Sequence, residues 1–292
     1  MASIDPETER LKEEILKTGK PLEIRISSLL DGQWPSITNQ DTFYDRNEKK
    51  LREIDICAYS LPKRMHNLEL ETGLIVECKK SEAFSWVFFT RPFKFEIEDV
   101  SGQFLDELQM AARNIERAEI MQQILKKTRL HYENMKTVAV TYEAFKRGDV
   151  HKSQFREEKN AIFDAQSQLK SYIECSTDED IRVRIPIIPY TIQMSFPCIV
   201  FRGSMYEAIV KDDHLTVEKS KHLVLKTQFS SEYSIYEKSL LIDVVSEEYF
   251  NNYQELILTD IDSLEKTIER DSEAISNKIT EIISLLESAG KR

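Results

Sequence analysis

The N-terminal part of the chain changes from helical to strand periodicity. Apolar residues recur at helical spacing over residues 6–30, with a break at residues 19–21, and this pattern predicts helix. Residues 52–59 alternate instead, with Ile54 and Ile56 on one side of a predicted strand. Further strands are predicted at residues 36–46, 73–80 and 86–90. Helix followed by several strands indicates a sheet-centred α/β or α+β core.

The middle of the chain has a different pattern. An apolar stripe from Phe104 to Leu125 predicts helix over residues 103–131, and residues 154–174 predict another helix. We therefore expect a helical insertion at about 96–175. Apolar runs within residues 182–209 and 240–245 predict a return to strands.

The C-terminal segment has a long apolar repeat of about 3.5 residues, from Glu247 to about Ala289. This repeat predicts a long helix or a helix pair. Two interpretations remain open: a terminal helix that packs on its own domain, or a coiled coil that forms a homo-oligomer. The expected organisation is one α/β domain over residues 1–245 and a helical segment over residues 246–292.

Composition indicates a folded chain. Hydrophobic residues make up 41% and charged residues 31% of the sequence, enough for a core and too apolar for general disorder. No run of about 18 apolar residues occurs, and the charged N-terminus does not resemble a signal peptide. We expect a soluble, cytoplasmic protein without a membrane partner.

Several large functional classes have no support in the sequence. The four cysteines are widely spaced without a CxxC pair, which excludes a zinc ribbon or a redox CxxC motif. Phosphate-loop, dinucleotide-binding, HExxH and GxSxG motifs do not occur either. Chemistry in this chain therefore depends on carboxylates and lysine.

Charge is unevenly distributed along the chain. The net charge of -11 argues against a nucleic-acid partner, because attraction to phosphate requires lysine and arginine. From Arg46 to Lys94, however, ten basic residues stand against seven acidic ones, whereas from Leu241 onward twelve acids stand against five bases. The first half is locally basic, and the C-terminal segment makes the chain acidic.

One group of residues could carry catalysis. In an extended strand, Glu77 and Lys79 project from the same face, and Asp55 lies on the preceding predicted strand. If the two strands pair, the Asp55 and Glu77 carboxylates and the Cys78 carbonyl form an oxygen-rich site that suits Mg²⁺. Lys79 would then orient a water molecule or stabilise the transition state at a phosphate.

These residues resemble the motif of the PD-(D/E)xK nuclease superfamily, which has a restriction-endonuclease-like fold. Asp55 matches the motif aspartate, Glu77 the second acid and Lys79 the lysine, although Ile54 replaces the proline. The resemblance covers residues 20–95 and implies a central mixed sheet flanked by helices. Glu23 resembles the helix acid of several branches, and Gln168 and Tyr172 resemble the QxxxY motif of RecB-like members.

The resemblance implies a Mg²⁺-dependent nuclease, with Mn²⁺ as a substitute and DNA as the expected substrate. The first alternative is a catalytically inactive nuclease-like protein that binds DNA or serves as a scaffold. The second alternative is a helical adaptor that binds neither metal nor DNA. An isolated ExK tripeptide also occurs by chance as a solvated pair on a strand, so the geometry of Asp55 and Glu77 decides among these hypotheses.

Overall fold

The computed structural model describes residues 5–45, 48–106, 116–147, 152–179, 190–211, 214–230 and 237–290. The helices within these ranges are α1 (Pro6–Lys17), α2 (Lys20–Leu30), α3 (Glu116–Leu125), α4 (Lys152–Glu179) and α5 (Phe250–Gly290). Short 3-10 helices occur at Ile97–Val100, His131–Asn134 and Glu247–Tyr249. The two N-terminal helices, α4 and the long C-terminal helix confirm predictions from the apolar periodicity.

The strands of the described residues form one mixed sheet of ten strands. They are β1 (Ser36–Asp45), β2 (Lys50–Tyr59), β3 (Lys63–Met65), β4 (Leu68–Pro92), β5 (Phe104–Asp106), β6 (Thr137–Lys146), β7 (Tyr190–Lys211), β8 (His214–Lys219), β9 (His222–Ser230) and β10 (Glu237–Ser246). Their order is β1-β2-β4-β6-β9-β10-β7-β5, with β3 beside β4 and β8 beside β7. The protein is thus of mixed α/β class, as predicted.

Two long strands form the centre of the sheet. Strand β4 is continuous over 25 residues, where the sequence pattern predicts two separate strands, and it pairs in parallel with β7 along most of its length. Its first half also pairs with β2 and its second half with β6. Strand β6 pairs with β9, β9 pairs with β10, and β10 pairs with β7, which itself pairs with β4. Five strands therefore close into a ring.

Helices cover both faces of the sheet. Successive residues of β4 point to opposite sides, with Val76 in one apolar core and Ile75 in the other. Helix α4 packs through Ile162 and Leu169 into the core that contains Ile75. Helices α2, α3 and α5 pack into the core that contains Val76. The two faces of β4 thus belong to two different apolar cores, each covered by helices.

Helix α5 belongs to the second of these cores. Its apolar positions are buried against the same chain, at Ile257, Ile261, Leu264, Ile268, Ile275 and Ile279. Acidic residues of α5 also pair with bases of the sheet and of the segment after α3, as in Lys63–Glu265 (2.8 Å) and Lys127–Asp271 (2.6 Å). These contacts favour a terminal helix that packs on its own domain over a coiled coil that forms an oligomer.

The segment over residues 96–175 is not wholly helical. Phe104–Asp106 forms β5, which pairs with β7, where the apolar stripe predicts helix. Strand β6, which the pattern does not predict, pairs with β4 over nine residues of each strand. Phe104 is fully buried in the strand because it packs into the core with α2 and α5. Residues 107–115 of the expected helix lie outside the described part of the chain.

Candidate functional site

The candidate site lies where β2 and β4 separate. The antiparallel pairing of these strands ends at Ile56 and Val76, and Asp55 and Glu77 are the next residues on each strand. The Cys78 N–H donates a hydrogen bond to Asp55 Oδ2 at 2.7 Å. A side-chain carboxylate thus occupies the place of the next main-chain partner. The structure brings Asp55 to β4, as predicted from the sequence.

Glu77 and Lys79 lie on the same face of β4. Lys79 Nζ donates to Glu77 Oε2 at 2.6 Å, and the Glu77 side chain is fully buried. Glu77 Oε1 is also buried and makes no well-aligned hydrogen bond among the described residues, although the Asp55 main chain lies close enough to the carboxylate to lower the Glu77 pKa. A buried carboxylate oxygen without a partner is costly unless a donor or a cation satisfies it. This oxygen is therefore a candidate ligand atom for a cation.

Burial and mutual charge shift the protonation of these groups. Burial, assisted by repulsion from Asp55 and opposed by Lys79, raises the pKa of Glu77 to about 7. Burial also raises the pKa of Asp55. Burial by itself lowers the pKa of Lys79, but the charges of Glu77 and Asp55 outweigh it and raise the pKa overall. Two carboxylates and one ammonium thus share a partly desolvated volume in which a further positive charge would be stabilised.

Cys78 adds a main-chain oxygen to the same place. In an extended strand the N–H and the C=O of one residue point to the same edge. Because the Cys78 N–H points to Asp55, the Cys78 carbonyl also faces the edge of β4 at which the pairing with β2 has ended. The Cys78 thiol points away into the core of α2 and α5. The predicted three-oxygen ligand set is thereby compatible with the strand geometry.

Glu23 stands at the rim of this volume. It lies in the first turn of α2, and its Oε2 accepts a hydrogen bond from Lys20 Nζ at 2.7 Å. Its charge contributes to the raised pKa of Asp55, whereas Lys20 acts in the opposite direction. Helix α2 holds this position because Leu22 and Ile26 are buried beneath it. Glu23 is therefore near Asp55 and paired with a lysine.

Gln168 and Tyr172 of α4 contact the strands that carry the site. Gln168 Nε2 donates to the Glu53 main-chain oxygen at 3.0 Å. The Tyr172 hydroxyl donates to Asp41 Oδ2 at 2.6 Å and lies 2.8 Å from the Tyr59 hydroxyl. Gln168 and Tyr172 thus attach β1 and β2 to α4. The contact of Gln168 is at Glu53, two residues before Asp55 on β2.

A second group of polar residues, which the sequence analysis missed, is buried on the other side of the sheet. His131, His222 and Asp243 come together there, and their nearest side-chain atoms lie within 4.8 Å of one another. The histidines occur singly in the sequence and have no motif spacing, so no local signal identifies them. The contact of the 3-10 helix that carries His131 with strands β9 and β10 assembles this group.

Comparison with known proteins adds no relative to this description. No protein-family model, curated protein or solved structure matches the chain. Within the described ranges, no helix combines the length and the apolarity needed to cross a bilayer.

Proposed function

We propose that this protein is a divalent-metal-dependent nuclease whose active site consists of Asp55, Glu77 and Lys79. The observation that carries the proposal is the buried carboxylate of Glu77, which shares one volume with the Asp55 carboxylate and the Lys79 ammonium and whose Oε1 makes no well-aligned hydrogen bond. The order of the elements also supports the resemblance to the PD-(D/E)xK superfamily. An acidic helix, a strand with the aspartate and a strand with Glu-Cys-Lys follow one another as in that family's motif.

The ligand set suits Mg²⁺, with Mn²⁺ as a substitute. Asp55 and Glu77 would supply carboxylate oxygens and Cys78 its main-chain carbonyl, all hard donors of the kind that Mg²⁺ prefers. A bound ion lowers the pKa of a coordinated water and offsets negative charge on a phosphate. Glu23 is the further acid available from α2, once its pairing with Lys20 is exchanged.

Lys79 is the positioning group in this proposal. Its ammonium is held against Glu77 Oε2, and only 21% of its side chain is exposed. A charged donor in so restricted a position can orient a water molecule or stabilise the developing charge on a phosphate oxygen. Because the pKa of Lys79 is raised, the side chain remains protonated at neutral pH and acts as a donor, not as a base.

Exposed bases next to the strand that carries Lys79 are candidates for contact with a polyanionic substrate, although alternation places Lys80 and Arg202 on the other face of the sheet from Lys79. Arg25 of α2 and Arg202 of β7 flank Glu247, with ion-pair distances of 2.9 and 3.4 Å. Arg202 is paired in register with Lys80, the residue after Lys79. Phosphate groups of nucleic acid can replace Glu247 as the partner of these arginines. DNA remains the expected substrate.

The experiment is a cleavage assay on supercoiled plasmid, linear DNA and RNA with Mg²⁺ or Mn²⁺. We expect Asp55→Asn, Glu77→Gln and Lys79→Ala each to reduce cleavage by at least about 100-fold, because each removes a ligand or a charge that acts on the phosphate. Glu218→Gln on the exposed strand β8 and Lys211→Ala at the end of β7 are matched controls that retain activity. Circular dichroism verifies that each variant is folded.

Two results would contradict the proposal. One is cleavage that persists in all three site variants. The other is a wild-type protein that cleaves none of the substrates with either metal. In the second case, DNA binding that weakens with salt and survives Asp55→Asn would identify the inactive, DNA-binding alternative.

A further inference from the structure

The buried polar group behind the sheet consists of His131, His222, Asp243 and Asp260, which we name the histidine cluster. His131 lies in the 3-10 helix after α3, His222 begins β9, and Asp243 and Asp260 belong to β10 and α5. The cluster thus joins the 3-10 helix after α3 to β9, β10 and α5 in the C-terminal part of the chain. It is separate from the site of Asp55 and Glu77, which lies on the opposite face of β4.

Two imidazoles converge on one carboxylate oxygen in this cluster. His131 Nε2 lies 3.1 Å and His222 Nε2 2.7 Å from Asp243 Oδ1. The other oxygen of Asp243, Oδ2, accepts hydrogen bonds from the hydroxyls of Tyr132 and Tyr253 at 3.0 and 3.1 Å. The tyrosines therefore fix the carboxylate and leave Oδ1 directed at the two imidazole nitrogens.

The surroundings of His131 match those of a metal ligand. Its second ring nitrogen, Nδ1, lies 2.5 Å from Asp260 Oδ2, and its main-chain N–H donates to Asp260 Oδ1 at 2.9 Å. Histidines that bind metals usually donate their other ring N–H to a carboxylate in this way, which fixes the tautomer and the ring orientation. Asp260 thus leaves Nε2 of His131 as the nitrogen available to an ion.

The two carboxylates of the cluster require compensating positive charge. Asp243 is fully buried and Asp260 nearly so, and two carboxylates in such a place need compensating positive charge. Either protons on the imidazoles or one divalent ion can supply it. An ion that displaces the Nε2 protons of His131 and His222 retains every other hydrogen bond of the cluster, including those from Tyr132 and Tyr253.

We propose that His131, His222 and Asp243 bind one Zn²⁺ or a similar divalent transition metal. Two imidazole nitrogens and one carboxylate oxygen are the ligands that Zn²⁺ takes, whereas Mg²⁺ prefers oxygen. The His222 side chain is 11% exposed and reaches the surface, so the metal and a water as fourth ligand enter from its side. Binding releases at least one proton, since the Nε2 nitrogens must be deprotonated.

The first experiment measures metal content and binding in the full chain. We expect about one zinc ion per chain by mass spectrometry of protein purified without chelator, or after reconstitution with zinc sulfate and desalting. Cobalt(II) added to the apoprotein should give the visible absorption of a four-coordinate site. Calorimetry in buffers of different ionisation enthalpy should show at least one proton released per metal ion.

Variants assign the binding to the cluster. We expect His222→Gln to weaken zinc binding by at least about 100-fold and Asp260→Asn by about 10- to 100-fold. His214→Ala, an exposed histidine on β8, is the matched control, and Glu77→Gln separates this site from the proposed nuclease site. Both should bind zinc as the wild type does.

Three results would overturn the proposal: no zinc and no cobalt spectrum in the wild type, binding unchanged in His222→Gln, or binding lost in Glu77→Gln. The cobalt spectrum of the wild type decides the question even if a cluster variant does not fold. If the wild type gives no cobalt spectrum, protons alone neutralise the carboxylates of the cluster.

Discussion

Glu77 and Asp243 lie on opposite faces of the same sheet, on strands separated only by β7. Val76, the neighbour of Glu77, is in register with Cys198 of β7, and Cys198 is in register with Asp243 of β10. Residues in register project to one face, and the next residue along a strand projects to the other. The candidate nuclease site and the histidine cluster therefore lie on opposite faces of the sheet. A substitution at one site leaves the side-chain contacts of the other site unchanged.

The raised pKa of Glu77 makes the stability of the metal-free protein pH-dependent. The folded value of about 7 exceeds the ordinary value of 4.5, so the folded state holds a proton that the unfolded state releases. This contribution is fully present below pH 4.5 and is lost as the pH rises through about 7. We expect the free energy of unfolding of the wild type, relative to Glu77→Gln, to fall by about 3 kcal/mol over this interval.

Urea denaturation in EDTA at pH 4.5 and pH 8 measures this difference. The control variant Glu218→Gln, on the exposed strand β8, should follow the wild type at both values. A Glu77→Gln variant with the same pH dependence as the wild type would show that Glu77 ionises normally. Mg²⁺ binding should strengthen over the same interval, because protons compete with the metal for the carboxylate.

Tyr172→Phe tests whether α4 supports the site without taking part in it. The substitution removes the hydrogen bond to Asp41 and the contact with the Tyr59 hydroxyl, so we expect about 1–3 kcal/mol lower stability. Cleavage under conditions where the variant is folded should remain within a few-fold of wild type. Tyr44→Phe, at a tyrosine that is 47% exposed, should change stability by less than about 0.5 kcal/mol. A 100-fold loss of cleavage in folded Tyr172→Phe would instead place Tyr172 in the catalytic machinery.

The part of the fold that the sequence predicts is the part with strong periodicity. Helices α4 and α5 and strand β10 each bury an apolar face that is visible as a spacing in the sequence, whereas β2 divides Ile54 and Ile56, predicted to share one side, between the two cores. Strand β8 is exposed at every position and β6 is buried at only three of its ten positions without regular alternation, so neither carries such a pattern. Their pairing with β7 and β4 depends on main-chain hydrogen bonds, which any residue type can make.

The two polar sites also differ in how far a local sequence pattern predicts them. Glu77 and Lys79 are two residues apart on one strand, so alternation predicts their shared face, and the expected pairing of the two strands brings Asp55 close to them. His131 and Asp243 are 112 residues apart, and His131 and Asp260 are 129 apart. Their contact depends on the order of β9, β10 and α5 around the core, which no local pattern encodes.

Removal of the central carboxylate of the histidine cluster should destabilise the whole domain. Asp243 accepts hydrogen bonds from four side chains and is fully buried, so Asp243→Ala leaves these donors without an acceptor. We expect the free energy of unfolding of the metal-free protein to fall by about 3–5 kcal/mol in urea denaturation. Asp262→Ala, at an exposed aspartate of α5, should cost less than about 0.5 kcal/mol. A loss below about 1 kcal/mol for Asp243→Ala would mean that the cluster contributes little to folding.

Helix α5 offers a direct test of whether the C-terminal segment stabilises its own chain. Leu264 is fully buried against the sheet-side core, and truncation to alanine should lower the free energy of unfolding by about 2–5 kcal/mol because it leaves a cavity. Leu11→Ala, at an exposed leucine of α1, is the matched control and should cost less than about 0.5 kcal/mol. Analytical ultracentrifugation of the wild type at micromolar concentration should give the mass of one chain. A dimer that dissociates in Leu264→Ala would show that the helix joins two chains instead.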